Sequence, residues 1–141
     1  MEEENQDPYV MYLIVRESIN MSIGKTAAQC AHASQMLQLK FDQLRNSSKI
    51  WNPPTIKDFY QSNNIIINFE QWISNSFRKV VLKADEKEWE KIKQLIPDSE
   101  RILVVDAGLT ELAPSTETVI GLFPMKKSER LKIIKKLQVL K

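Results

Sequence analysis

The chain has 141 residues, of which 43% are hydrophobic and 27% charged, and its formal net charge is +2. These values are ordinary for one globular domain that buries a core without disulfides or metal ions. A single cysteine excludes a disulfide framework and a cysteine-rich zinc site, and no apolar run approaches the length of a membrane span. We therefore expect a cytoplasmic protein without a membrane segment.

Charge is distributed unevenly along the chain. Residues 1–8 carry four acids and no base, whereas residues 126–141 carry seven Lys or Arg and one Glu. We predict an acidic N-terminal tail at 1–8 and one domain at 9–141. The basic end permits an anionic partner but is equally typical of the solvated face of a terminal helix.

The predicted elements begin with a strand at 9–16, which is rich in β-branched and aromatic residues. Apolar residues at helical spacing then predict a long helix over 22–45. Residues 46–68 differ in composition, with a Pro-Pro pair and several aromatics, and form an excursion that holds a short helix at 55–61. Residues 69–76 are either a further helix or the end of this excursion.

The second half of the chain repeats the alternation. We predict a strand at 77–84 and a helix that ends near 96, where Asp85 and Glu88 form a capping-box pattern at its start. Further strands are predicted at 101–106 and 117–123, and an amphipathic helix at 128–140 closes the chain.

The order β-α-α-β-α-β-β-α favours the α/β class with a mostly parallel sheet. The last two strands have no helix between them, so they either pair as antiparallel neighbours or lie apart in the sheet. We predict a single α/β domain with a four-stranded mixed sheet and helices on both faces.

One stretch, SIGKTAAQCAHAS at 22–34, contains the only His and the only Cys of the chain. Its GKT resembles a phosphate-binding P-loop, but that motif requires a glycine at position 19, where Ile19 stands. What remains is a helix N-terminus with free N–H groups, a glycine at Gly24 that lets a ligand approach, and the positive charge of Lys25. This combination suits an anion, or an oxygen that becomes anionic during reaction.

A second cluster follows the strand that ends at Asp106. Because ligands gather beyond the carboxyl ends of strands in α/β sheets, we expect Asp106 and Lys25 to meet at one sheet edge. Thr110, Thr116 and Thr118 add hydroxyl groups nearby. The alternative is an ordinary turn stiffened by proline. We interpret His32, two turns along the helix from Lys25, as structural.

Three segments resemble the type 2 peptidyl-tRNA hydrolases, the archaeal and eukaryotic kind: GKTAAQCAHA, KVVLKADEKEWEKI and DAGLTELAPSTETVIGLFP. The resemblance implies an enzyme that cleaves the ester between a peptide and the terminal ribose of tRNA. It also implies a compact mixed sheet, often a homodimer, and no metal or organic cofactor. The alternative is a non-catalytic RNA- or protein-binding module on the same fold.

The resemblance also implies which residues act. The lysine, the aspartate and the two threonines of the family pattern fall on Lys25, Asp106, Thr110 and Thr118, which we predict to be catalytic. Substrate-binding roles are predicted for Gly24, Gln29, Gly108 and Thr116. Asp106 would position or deprotonate a water, and Lys25 would stabilise the oxyanion or the leaving ribose oxygen.

The chain departs from the family pattern at five positions. Where the pattern has Gly, Lys, a basic residue, Gln and Gly, this chain has Ser22, Ile23, Leu109, Glu111 and Ser115. Two positive charges are missing beside the predicted site and one negative charge is added. Because phosphate contacts supply most nucleic-acid affinity, this predicts weaker and less salt-sensitive binding of tRNA.

Overall fold

The computed structural model describes residues 7–47, 55–109 and 111–141. Its α/β fold is the class that the sequence predicts, with one mixed sheet between two layers of helices. The strands are β1 (Tyr9–Arg16), β2 (Arg78–Ala84), β3 (Arg101–Asp106), β4 (Thr116–Leu122), β5 (Met125–Lys126) and β6 (Gln138–Val139). The α-helices are α1 (Ile23–Ser47), α2 (Ile56–Gln71), α3 (Glu86–Leu95) and α4 (Lys132–Lys136), and short 3₁₀ turns cover Glu17–Ile19, Asp98–Glu100 and Lys127–Glu129.

The sheet has the strand order β3-β4-β1-β2-β6, and β5 extends the pairing beside β1. β1 is parallel to β2, whereas β4 is antiparallel to both β1 and β3. β3 therefore runs in the same direction as β1. The carboxyl ends of β1 and β3 meet at one edge, together with the beginnings of α1 and β4, and this edge carries the candidate site.

Two sequence-based expectations about the sheet need correction. Six strands are formed by the described residues, not four, because two pairs of residues near the C-terminus add short ladders that are too brief to show a periodicity. The sheet is also not mostly parallel. β3 and β4 are joined without a helix and pair directly as antiparallel neighbours, so β1 and β2 form the one parallel pair among the described strands.

Helices cover both faces of the sheet, as predicted. On one face, α1 buries Ala33, Leu37 and Phe41, spaced four residues apart, in a core that it shares with α2. On the other face, α3 contributes Trp89 and Ile92 to a second core. Complete burial of a large apolar side chain stabilises a fold by about 1.5–3 kcal/mol, so these two layers hold the sheet rigidly behind the site.

The predicted helix after Ala84 is confirmed together with its cap. The Asp85 carboxylate accepts the N–H of Glu88 at 2.8 Å, and the Glu88 carboxylate accepts the N–H of Asp85 at 2.9 Å. These two bonds satisfy donors that the first turn of a helix leaves unpaired.

The excursion is more helical than predicted. α2 continues to Gln71 and then widens into a π-helical turn at Trp72–Ser76, so residues 69–76 are the end of this element and not a separate helix. Phe69 stacks on Phe41 with ring centroids 4.2 Å apart, which packs α2 against α1. The Pro-Pro pair and Trp51 lie outside the described residues.

The predicted C-terminal helix over 128–140 is wrong in length. α4 has only five residues, because the backbone is extended on either side of it, at Leu131 and Leu137. The chain then pairs Gln138 and Val139 with β2, which leaves the basic segment folded along the sheet. None of the described helices is long and apolar enough to span a membrane.

Candidate active site

Lys25 and Asp106 meet as the sequence predicts. Lys25 lies in the first turn of α1 and Asp106 is the last residue of β3. The Lys25 Nζ is 2.6 Å from the Asp106 Oδ1, and the two side chains are only 11% and 6% exposed. Two elements that are far apart in sequence thus place an ammonium against a carboxylate at the edge of the sheet.

The pKa of Asp106 is held below its ordinary value. The largest cause is the hydrogen bond from the Lys25 ammonium, and the N–H of Gly108 adds to it by donating to Asp106 Oδ2 at 2.8 Å. Burial acts in the opposite direction and does not prevail. Asp106 is therefore a carboxylate at neutral pH, oriented at both oxygens.

Behind this pair lies a buried polar chain. Gln29, 3% exposed, points its amide nitrogen at Asp106 Oδ1 from 3.4 Å. The hydroxyl of Thr118, which is completely buried, donates to the amide oxygen of Gln29 at 2.5 Å. This bond fixes which way the amide of Gln29 faces. Thr118 does not line the cleft, and Gln29 lies between it and Asp106.

Gly108 shapes the loop that follows β3. Its φ of +81° lies in the left-handed region, and a Cβ there would fall 2.6 Å from the nitrogen of Pro114. Only glycine fits, and its place lets the N–H reach Asp106. The N–H of Ser115 closes the loop by donating to the Asp106 carbonyl at 2.8 Å.

The two remaining threonines of the predicted site differ in what can be said of them. Thr116 opens β4 opposite Asp106, and its hydroxyl donates to the carbonyl of Ala113 at 2.7 Å. This bond stabilises the turn before β4, and Thr116 is not among the residues that line the cleft. Thr110 lies outside the described residues, and its predicted role stays a prediction.

An open cleft of about 540 Å³ lies in front of the pair. Its walls come from the start of α1 and from the end of β3 with its loop: Gly24, Lys25, Ala28, Gln29, His32, Val105, Asp106, Ala107, Leu109 and Glu111. A Cβ on Gly24 would meet nothing within 4 Å, so packing does not require this glycine. The backbone of the first helical turn is open to a ligand there.

Six cleft residues were not predicted as site residues, and three of them, His32, Leu109 and Glu111, bear on the chemistry or on the binding of a ligand. His32, interpreted as structural, is exposed on the cleft wall, since it follows Gln29 by about one helical turn. Leu109 is 87% exposed. Glu111 accepts hydrogen bonds from the backbone N–H and the hydroxyl of Ser22, and these bonds lower its pKa. The departures from the family pattern were the only sequence signal for the last two.

This arrangement suits ester hydrolysis. An ionised, oriented carboxylate can accept a hydrogen bond from a water and aim it at a carbonyl carbon. An ammonium beside the N–H groups of a helix start stabilises an oxyanion. Among the described residues, no three His, Cys, Asp or Glu side chains lie close enough together to hold a metal ion.

Comparison with known proteins agrees with this chemistry. A family model described as "Peptidyl-tRNA hydrolase PTH2" matches residues 9–140. The peptidyl-tRNA hydrolase of Methanopyrus kandleri is 32% identical over 126 residues, which cover 86% of this chain and 89% of that protein. That of Sulfurisphaera tokodaii is 33% identical over 120 residues, covering 81% and 84%. The human mitochondrial peptidyl-tRNA hydrolase 2 is 31% identical over 121 residues, covering 82% of this chain and 55% of that protein. The chain therefore belongs to the PTH2 family of peptidyl-tRNA hydrolases.

Proposed function

We propose that this protein hydrolyses the ester bond of peptidyl-tRNA and releases free tRNA and peptide. The observation that carries the proposal is the Lys25–Asp106 contact of 2.6 Å on the wall of an open cleft. Lys25 lies in the segment GKTAAQCAHA and Asp106 begins the segment DAGLTELAPSTETVIGLFP, both of which resemble the family's motifs. Membership of the family supports the same reaction.

In the proposed mechanism, Asp106 accepts a hydrogen bond from a water and directs the water oxygen at the ester carbonyl carbon. The low pKa of Asp106 makes it a weak base at neutral pH, so it orients the water rather than storing its proton. The Lys25 ammonium and the positive end of the α1 helix dipole stabilise the oxyanion of the tetrahedral intermediate.

The intermediate then collapses towards products. The bond between the carbonyl carbon and the ribose oxygen breaks, and the ribose oxygen receives the proton that the attacking water gives up. The products are a tRNA with a free terminal hydroxyl and a peptide carboxylic acid, which loses the second proton of the water to solvent and becomes a carboxylate. Asp106 and Lys25 leave the cycle in their starting protonation states.

Gln29 and Thr118 serve this pair as positioning residues. Thr118 is completely buried and its hydroxyl contacts Gln29 and the carbonyl of Val104, which supports an indirect role through Gln29 in place of contact with water or substrate. Its removal leaves the amide of Gln29 free to rotate, which loosens the orientation of Asp106. For Thr110, which the resemblance to the family assigns to catalysis, we propose direct contact with water or substrate.

The decisive experiment measures the release of free tRNA from an N-blocked aminoacyl-tRNA by the purified chain. Catalysis well above background is expected, and Lys25→Ala should abolish most of it. Lys83→Ala is the matched control, because Lys83 pairs with Glu17 at 3.3 Å near the same sheet edge but outside the cleft. If the parent protein releases no tRNA at micromolar concentration, the fold serves as a binding module instead.

Assembly and cell location extend the proposal. We propose a homodimer in the cytoplasm, which the resemblance to the family supports. Sedimentation equilibrium should then give twice the chain mass of 16.4 kDa. A mass of one chain across the micromolar range would contradict the dimer, and a fluorescent fusion confined to an organelle would contradict the location.

A further inference from the structure

Two of the departures from the family pattern contact each other. The chain has Ser22 where the resemblance to the family predicts Gly, and Glu111 where it predicts Gln. The Ser22 backbone N–H donates to Glu111 Oε2 at 2.8 Å, and the Ser22 hydroxyl donates to Oε1 at 2.8 Å. A glycine has no hydroxyl, and a glutamine amide has one acceptor oxygen in place of two. The observed two-bond contact therefore needs a hydroxyl at position 22 and two acceptor oxygens at position 111.

This contact joins the two elements that carry Lys25 and Asp106. Ser22 directly precedes α1, and its hydroxyl oxygen also accepts the backbone N–H of Lys25 at 3.2 Å. Glu111 lies five residues after Asp106, on the loop between β3 and β4. The two bonds thus hold the first turn of α1 against the loop that begins at Asp106.

The loop has little else to hold it. None of its described residues between 107 and 115 is buried, and Leu109 is 87% exposed. Segments with few buried apolar contacts open at low free-energy cost. Within itself it is held by the Gly108 and Ser115 bonds to Asp106 and by the Thr116 bond to Ala113, whereas the contact with Ser22 ties it to the start of α1. Loss of the last would let the loop move relative to α1.

We propose that Ser22 and Glu111 form a clamp that positions the Lys25–Asp106 pair for the reaction. The inference rests on the proposed function for its substrate but not for its geometry. Glu111 acts through the loop and through Ser22, so it is a positioning residue. Since a misplacement of about 1 Å in an active site can cost on the order of a hundredfold in rate, the clamp should be visible in kcat.

The test is a double-mutant cycle of Ser22→Gly and Glu111→Gln on the full chain, with kcat and KM measured on N-blocked aminoacyl-tRNA. Each single variant should lower kcat about tenfold and change KM by less than about threefold. The double variant should also lose only about tenfold, because residues in direct contact are not additive. Ser22→Thr keeps the hydroxyl and should retain the parental kcat.

A matched control lies at the opposite end of β1. Asp7 accepts the backbone N–H and the hydroxyl of Ser128 at 2.9 and 2.8 Å, which is the same two-bond contact away from the cleft. Ser128→Gly and Asp7→Asn should leave kcat within about twofold of the parent. If the clamp variants behave like these controls, or if the double variant loses about a hundredfold, the clamp does not position the pair.

Amide hydrogen exchange provides an arm that does not depend on activity. The amides of Gly108 and Ser115 should exchange about tenfold faster in Glu111→Gln than in the parent. Their exchange rates in Asp7→Asn should equal those of the parent. Absence of tRNA release by the parent would overturn the proposed function but not the clamp. Unchanged exchange in Glu111→Gln would overturn the clamp whatever the activity.

Discussion

Leu109→Arg should strengthen the binding of tRNA and make it more dependent on salt. Leu109 lies on the wall of the cleft, is 87% exposed and does not pack into its loop. The substitution should therefore change the free energy of unfolding by no more than about 0.5 kcal/mol. One new phosphate contact steepens the slope of log affinity against log salt by about 0.9 on a duplex and about 0.7 on a single strand. Between 50 and 200 mM salt, a slope change of 0.9 corresponds to an additional affinity loss of about 3.5-fold.

The assay is tRNA binding by fluorescence anisotropy across this salt range, with the parent and the variant compared in parallel. Leu109→Gln is the matched control, because it is polar and exposed but adds no charge, and its slope should equal the parental slope. Ile23 is 91% exposed at the start of α1, so Ile23→Lys should add a second, independent change of about the same size. A folded Leu109→Arg protein with the parental slope would refute the placement of RNA against this wall.

Other predictions concern the site itself. Lys25→Ala and Asp106→Asn should each lower kcat at least about a hundredfold with a native circular dichroism spectrum, since one oxyanion donor is worth about 10²–10³ in rate; losses of only a few-fold would contradict the assignment. The pKa of Asp106 lies below its ordinary value of 3.8. Activity that needs its carboxylate should therefore be constant at neutral pH and fall only as the pH drops below about 4, and a pH–rate profile with an acid limb near pH 6 would argue against this role. Thr118→Val should lower the unfolding free energy by about 1–3 kcal/mol, because it leaves the buried amide oxygen of Gln29 without its donor; urea titration measures this loss. The same variant should lower kcat with little change in KM, which steady-state kinetics measures. Ser115 has a φ of +64° where the family pattern has glycine, so Ser115→Gly should raise the unfolding free energy by about 1 kcal/mol, and an unchanged denaturation midpoint would show that the strain is relieved locally.

Local patterns were enough to predict the frame of this protein. Alternating and continuous apolar runs located the four long strands, and the capping box at Asp85 and Glu88 located the start of α3. These signals depend on neighbours within one turn or a few strand residues. The meeting of Lys25 and Asp106 was also predictable, because an α/β topology brings a strand end and a helix start to the same sheet edge.

Packing decided what local patterns could not. The sequence does not distinguish Thr118, which is completely buried behind Gln29, from Thr116, whose hydroxyl holds a turn. The sequence of the basic C-terminus predicted one helix, but Gln138 and Val139 pair with the edge of β2 as a short strand. In each case the outcome depends on a partner that is distant in sequence.

The contact between Ser22 and Glu111 illustrates this division. The sequence by itself showed that both residues depart from the family pattern, and it determined the charge that the second one adds. It did not show that they touch, since 89 positions separate them. Only the tertiary fold brings the β3–β4 loop beside the start of α1, where the carboxylate of Glu111 accepts two hydrogen bonds from Ser22. The physical reason is that a hydrogen bond needs its donor and acceptor within about 3 Å, and over such a separation that distance is set by the packing of the sheet and α1.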